Sequence, residues 1–545
     1  MKKINTGGLL FKDLRDENKY YVDKTLLIKD ILDCDNRGVY LFTRPRRFGK
    51  TTNLSMLDAF FNIEYKGNNW FDGLAISNYS EYERYKNVFP VIRLDLKETK
   101  CDCYESFVNR MKSVVVKAYS NHDYLLESDT LKCYEKEKFM NILFEKIDSD
   151  QIIDCIPMLC NILNNHYRMK PIILIDEYDR AVSDSFGEES HRKIMDYLGS
   201  FLSPILKNND NVQMAYVTGV MQIAKESIFS GLNNLTTNNV FSIGSDERFG
   251  FTEAEIKDLF AYYGHPEKFA EAKEWYDGYR FGNAEVYNPF SIMNYISSHF
   301  IPKQYWVNSG SDVPITWLLE RTNTNNFSKI FSLIDGKSAN VRLEEALTYA
   351  KLGSTDVALY TLMVMSGYLK AVPNDNETYS VSIPNKEVMK IVDKMALDLC
   401  PVDYDAFGTF NRAVLEGDAD TMTKELRKIL SVGSYYNLTT ELHYEAVLMT
   451  ILYEMIPSYE VRTETEYGNG RVDIILIPKK EGTVPIIIEL KKANTEEDLE
   501  ACAENAVKQI HDRKYYANMH GKVILIGLAF WGRIPKTIIE VVICP

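Results

Sequence analysis

The chain has 545 residues, 45% of them hydrophobic and 26% charged, with a formal net charge of −14. This is the composition of an ordinary globular protein, too long for one core and sized for two large domains or about three to four ordinary ones. The acidic balance excludes a surface coated in basic charge for non-specific nucleic-acid binding, while leaving room for a local basic groove. No apolar run is long enough to span a bilayer, and the opening MKKINTGGLLFKDL lacks a sustained apolar stretch, so a cytoplasmic protein is expected. Nine scattered cysteines without a CxxC pair read as reduced thiols, and the pair Cys101 and Cys103 alone offers too few ligands for a metal.

Residues 38–61, GVYLFTRPRRFGKTTNLSMLDAFF, predict a short apolar strand over 39–42, a loop holding Pro45 and Gly49, and an apolar-periodic helix from about Lys50. A phosphate loop needs backbone N–H groups at a helix N-terminus, a lysine to reach the outer phosphates and a hydroxyl to hold Mg²⁺. Gly49, Lys50 and Thr51 supply these, with Thr52 beside them, although Arg44 stands where GxxxxGK[ST] has its first glycine. Downstream, KPIILIDEYDRAV (170–182) is an apolar strand ending in Asp176 and Glu177. That acidic pair fits Mg²⁺ binding by Asp176 and polarisation of the attacking water by Glu177. Segments 90–96 and 211–220 predict further buried strands of an α/β nucleotide-binding core. The last of them brings Thr218 to the place of a γ-phosphate sensor, or else to a plain strand cap. Arg46 and Arg47 flank the loop, as contacts to phosphates or a neighbouring subunit, or as solvated charges.

Residues from about 250 to 435 read as mostly helical and suggest no chemistry. Within them, 360–392 have the order helix, strand, PNDNE turn, strand, helix, which resembles a winged-helix unit; its hairpin is not basic, favouring a structural role. From about 438 the pattern is a helix, three strands, a second helix over EEDLEACAENAVKQIHDRKYYANMH and a last strand over KVILIGLAFW. Asp473 lies in the second strand and Glu489 and Lys491 in the third. Positions i and i+2 of a strand share a face, so Glu489 and Lys491 project together, with Asp473 in reach across a short hairpin. A buried Asp473 is costly without a partner. Two close carboxylates repel, and Mg²⁺ or Mn²⁺ between them relieves the repulsion and acidifies a bound water, which Lys491 would position.

The stretches YYVDKTLLIKDIL, FTRPRRFGKTTNLSML, LIDEYD, TGVMQIAKESIFSGLNNL, FGFTEAEI and WYDGYRFG with EVYNPFSIMNYI resemble the bacterial AAA-ATPase-like family over almost the whole chain. The resemblance implies an N-terminal P-loop ATPase, with RPRRFGK as its phosphate loop, and a C-terminal PD-(D/E)XK nuclease domain of α-β-β-β-α-β order. It implies ATP and Mg²⁺ as ligands, Glu441 as a further metal ligand, and Gln509 as a residue holding the nuclease site or the DNA backbone, with Tyr516 on the same helix face. Two positions depart from the family: Gln222 replaces a basic residue, leaving Lys225 as the nearby cation, and HYE at 443–445 puts Glu445 in place of a histidine. Arg248 and Arg280 are arginine-finger candidates by analogy with oligomeric ATPases, each expected instead to form a structural ion pair.

The resulting expectation is a P-loop AAA-like domain over 1–250, a helical middle over 251–435 and a nuclease-like domain over 436–545. Such a chain would be an ATPase joined to a metal-dependent phosphodiesterase acting on nucleic acid, most simply DNA, and able to form a homo-oligomer. The alternative is a nucleotide-dependent scaffold or regulatory ATPase whose nuclease-like domain binds without cutting.

Overall fold

The computed structural model describes residues 1–34, 38–99, 103–207, 209–221, 235–306, 313–319, 329–330, 332–334, 336–345, 347, 356–374, 377–398, 404–432, 441–452, 455–468, 470–480 and 482–544. The chain forms two compact units, one of Met1–Arg321 with Ser332–Val392, the other chiefly of Asp393–Pro545.

The first unit is built on β1 (Val39–Thr43), β2 (Val91–Asp95), β3 (Ile172–Asp176), β4 (Met214–Gly219) and β5 (Leu235–Asn238). They form one parallel sheet in the order β2-β3-β4-β1-β5. The runs VYLFT and IILID are buried along their whole length, as expected of parallel strands covered on both faces. Helices Tyr104–Ser120, Ile152–Tyr167 and His191–Leu206 supply Phe107, Leu159 and Phe201 to a core with Leu41, Leu94, Ile175 and Val217 of the sheet. The order places β4 between β1 and β3, so the ends of the loop strand and the acidic strand flank the end of the strand carrying Thr218.

Among its described residues, the region expected to be mostly helical also contains five short strands. β6 (Tyr279–Phe281) and β7 (Ala284–Val286) form a hairpin, and β8 (Ala339–Val341), β9 (Lys370–Pro373) and β10 (Tyr379–Ser382) an antiparallel sheet in the order β8-β10-β9. Helix Asp356–Met365, β9, β10 and helix Lys386–Asp398 reproduce the helix-strand-strand-helix order read over 360–392. Pairing of β10 with β8 adds a third strand to that hairpin.

The second unit centres on β11 (Tyr459–Tyr467), β12 (Gly470–Pro478), β13 (Ile486–Lys492), β14 (Gly521–Trp531) and β15 (Ile534–Cys544), in sequential order. All neighbours are antiparallel except β13 and β14, which helix Leu499–Asp512 connects as a parallel pair. Ile486, Ile488 and Leu490 of β13 enter a core shared with helices Tyr404–Glu416, Ala419–Val432 and Glu441–Leu452. Ile487 points to the opposite face, with Ile510 of helix Leu499–Asp512. The expected six-element order is present, extended by β15. Among the described residues no helix is long and apolar enough to cross a membrane.

Candidate functional sites

At the end of β1, Gly49 adopts a left-handed conformation (φ 85°) and Lys50 opens helix Lys50–Phe61. The first N–H groups of that helix lack intrahelical acceptors, the arrangement that favours an anion. Lys50 is buried, and its Nζ donates to the carbonyls of Arg44 and Pro45 at 3.0 Å each. Burial lowers its pKa, opposed by the nearby negative charges of Glu177, Asp179 and Asp176. Asp176 is buried too and accepts from Thr218 Oγ1 at 2.6 Å. Burial raises its pKa, opposed by the nearby hydroxyls of Thr218 and Thr51. Glu177 follows in the left-handed region (φ 51°), a conformation costly to a non-glycine residue and typical of functional turns. Thr52 is half-buried, one residue beyond Thr51. Sequence-predicted Lys50, Thr51, Asp176, Glu177 and Thr218 therefore meet at the C-terminal ends of the central parallel strands.

Nothing in the sequence singles out Asp179, yet this buried carboxylate accepts from the N–H groups of Val220 (2.9 Å) and Met221 (2.7 Å). Burial pushes its pKa up to about 6. Tyr178 donates its hydroxyl to the Met221 carbonyl at 2.7 Å, so DEYD grips the residues leaving β4. Only a glycine fits at 219, where a Cβ would lie 2.6 Å from the Tyr178 ring and 2.7 Å from Asp179 Oδ1.

The side chains of the RPRRF loop are engaged from elsewhere in the unit. Arg44 is buried, donating to the carbonyls of Thr43 (2.8 Å) and Asn238 (3.0 Å) and to Asn238 Oδ1 (2.5 Å). Its guanidinium lies over the rings of Phe249 and Phe281, 4.7 and 5.1 Å from their centres. Pro45 rests on Gly367, where an added Cβ would come within 3.0 Å of it. The Arg46 carbonyl accepts from the Trp306 indole (3.3 Å), Arg47 lies 4.4 Å over Phe290, and Phe48 packs edge-on against Tyr279 and Phe281. Arg248 forms the expected structural ion pair, with Asp30 at 2.8 Å. Arg280 donates to the Gly282 carbonyl at 3.1 Å, a hydrogen bond where an ion pair was expected.

In the second unit Asp473, Glu489, Lys491 and Gln509 come together. Asp473 Oδ2 accepts from the Leu490 N–H across the β12–β13 ladder at 2.7 Å. Lys491 Nζ lies 3.3 Å from Glu489 Oε1 and donates to the Leu490 carbonyl at 3.0 Å, while Gln509 Nε2 donates to the same Glu489 oxygen. The deeply buried acid is Glu489, 1% exposed; Asp473, expected to be buried, is only half-buried. Burial, reinforced by Asp473, pushes the Glu489 pKa up to about 7. Among the described residues, its Oε2 is buried without a hydrogen-bond partner. A buried carboxylate oxygen lacking a donor, beside a second carboxylate, suits a divalent cation.

Tyr516 departs from expectation. Helix Leu499–Asp512 ends before it, and its hydroxyl pairs with His511 Nδ1 at 2.8 Å. The neighbouring Tyr515 serves the site instead, accepting from Gln509 Nε2 (3.4 Å) and donating to the Arg471 carbonyl (2.6 Å). Glu441 opens helix Glu441–Leu452, but its side chain lies outside the described residues, as do Gln222, Lys225 and Cys101. Glu445 is buried. Among the described residues, no three His, Cys, Asp or Glu side chains group to hold a metal.

Residues 6–229 match the family described as Predicted AAA-ATPase, and residues 439–538 match the PD-(D/E)XK nuclease superfamily. The chain is also 26% identical over 411 residues to an uncharacterized protein in the vnfD 5' region of Azotobacter chroococcum mcd 1, covering 73% of this chain and 70% of that protein.

Proposed function

We propose that this chain, which carries an AAA-ATPase-like domain and a PD-(D/E)XK nuclease superfamily domain, binds and hydrolyses ATP and uses its C-terminal unit to cleave nucleic-acid phosphodiesters, with DNA as substrate. The observation that carries the second half is Glu489: a buried carboxylate with one oxygen held by Lys491 and Gln509 and the other, among the described residues, without a donor.

In the first unit, Lys50 and the helix N-terminus would take the outer phosphates, and Thr51 and Asp176 would hold the accompanying Mg²⁺. Thr218 fixes Asp176, and Glu177, in its left-handed turn, would polarise the attacking water. In the second unit, Asp473 and Glu489, with Glu441 as a third candidate, would hold Mg²⁺ or Mn²⁺. When bound, such an ion acidifies water and stabilises charge on the phosphate. Lys491 neutralises charge developing beside Glu489, and Gln509 holds the Glu489 carboxylate in place. ATP turnover in the first unit would gate or drive cutting in the second.

The test is incubation of the full chain with supercoiled plasmid and Mg²⁺ or Mn²⁺, with and without ATP, beside Lys491→Ala. Metal-dependent nicking that disappears in the variant and responds to ATP is the expected result. ATP turnover without cleavage of DNA or RNA in any arm would instead identify the alternative, a nucleotide-dependent binding or scaffold protein.

A further inference from the structure

Glu387 lies in the first turn of helix Lys386–Asp398 and is fully buried. Its Oε1 accepts from the backbone N–H groups of Tyr305 (2.6 Å) and Trp306 (2.9 Å), and its Oε2 from the Ser291 hydroxyl (2.7 Å). A buried carboxylate is costly unless its oxygens are satisfied, so these three donors tie the helix, the 305–306 segment and the start of helix Pro289–Ser297 to one point. Two of the tied elements reach the phosphate loop. Trp306 donates its indole N–H to the Arg46 carbonyl at 3.3 Å, and Phe290, next to Ser291, underlies the Arg47 guanidinium at 4.4 Å.

We propose that Glu387 and Trp306 are positioning residues for the phosphate loop. Glu387 sets the places of Trp306 and Phe290, and these hold the backbone carbonyl of Arg46 and the guanidinium of Arg47, four and three residues before Lys50. In glycine-rich phosphate loops the backbone alone shapes the cradle. Here side chains from more than 240 residues downstream shape it. This inference rests on the reading of the first unit as a nucleotide site.

The experiment is calorimetric titration of Mg·ATPγS into the full chain, comparing wild type with Trp306→Phe, Glu387→Ala and Glu387→Gln, each checked by thermal melting. Trp306→Phe keeps an aromatic ring but loses the N–H and part of the buried indole, and is expected to weaken nucleotide binding about fivefold, the value of one hydrogen bond, with a modest drop in melting from the space it leaves. Glu387→Ala should weaken it further, and Glu387→Gln, which retains an acceptor for both backbone N–H groups, should recover most of the affinity. If Glu387→Ala does not fold, Trp306→Phe and Glu387→Gln decide. Wild-type affinity in Trp306→Phe would overturn the positioning role, even if Glu387→Ala melts early. Failure of the wild type itself to bind Mg·ATPγS would overturn the nucleotide-site reading beneath it.

Discussion

Glu489 of β13 stands opposite Gly527 of β14 in their parallel ladder, and Gly527 is the seat of the helix that delivers Gln509 to Glu489. A Cβ at 527 would lie 2.3 Å from the Ala503 carbonyl and 2.8 Å from Val507 Cγ2. Gly527→Ala must therefore lift helix Leu499–Asp512 off the sheet. The expected cost is about 1–3 kcal/mol, the usual range for overpacking, together with loss of the Gln509 contact. Melting and Mn²⁺ titration of the variant check both; unchanged melting and Mn²⁺ affinity would refute the seat.

The elevated Glu489 pKa makes a statement about pH. The folded value, about 7, exceeds the ordinary 4.5, so the folded chain binds this proton more tightly than the unfolded one. The stabilisation it brings is fully present below pH 4.5 and is lost as pH rises to 7. Relative to the protonated form, ionisation above pH 7 costs the fold about 3–4 kcal/mol. Glu489→Gln should thus raise the urea midpoint of the second unit at pH 8, measured by pulse proteolysis, and raise it far less at pH 5. Mn²⁺ should stabilise the wild type and not the variant.

Thr218 donates to buried Asp176 at 2.6 Å. Thr218→Val keeps the shape and deletes the donor, leaving a buried carboxylate with one fewer bond and its pKa pushed higher still. A hydrogen bond to a charged group is worth about 1.5–3 kcal/mol. Steady-state ATP hydrolysis is expected to fall roughly 10- to 100-fold, with nucleotide affinity reduced much less. Equal loss in both parameters would contradict a role confined to Asp176.

Arg44→Gly would restore the usual glycine of a phosphate loop, yet it should impair this one. The substitution empties the space between Phe249 and Phe281 and strands the Asn238 acceptors. Destabilisation of about 3 kcal/mol or more is expected, as for other large deletions from a core. Thermal melting measures it, and a variant as stable as wild type would show that Arg44 contributes nothing by its burial.

Four strands of the first sheet are legible because parallel strands covered on both faces leave continuous apolar runs. β5, LTTN, carries no such signal; it is recruited by pairing with β1. Glu489 and Lys491 are legible from the period of two, but which acid is buried is not. That depends on helix Leu499–Asp512 crossing the sheet over Glu489, a packing fact no strand pattern contains. Tyr515 and Tyr516 are adjacent, and only the end of the helix at Asp512 decides which one turns to Gln509. The role of Arg44 is equally hidden, since its partner Asn238 is 194 residues away.

The grip on the RPRRF loop also bears on how such a chain can change over generations. A glycine loop, shaped by its own backbone, is portable between scaffolds; here Arg44, Pro45, Arg47 and Phe48 each have a counterpart at Phe249, Gly367, Phe290 and Tyr279. A mutation on one side leaves a void or a clash on the other, so loop and surroundings are constrained to drift as a pair. Pairwise covariation between positions 44–48 and 249–367 is the trace expected from such pairing.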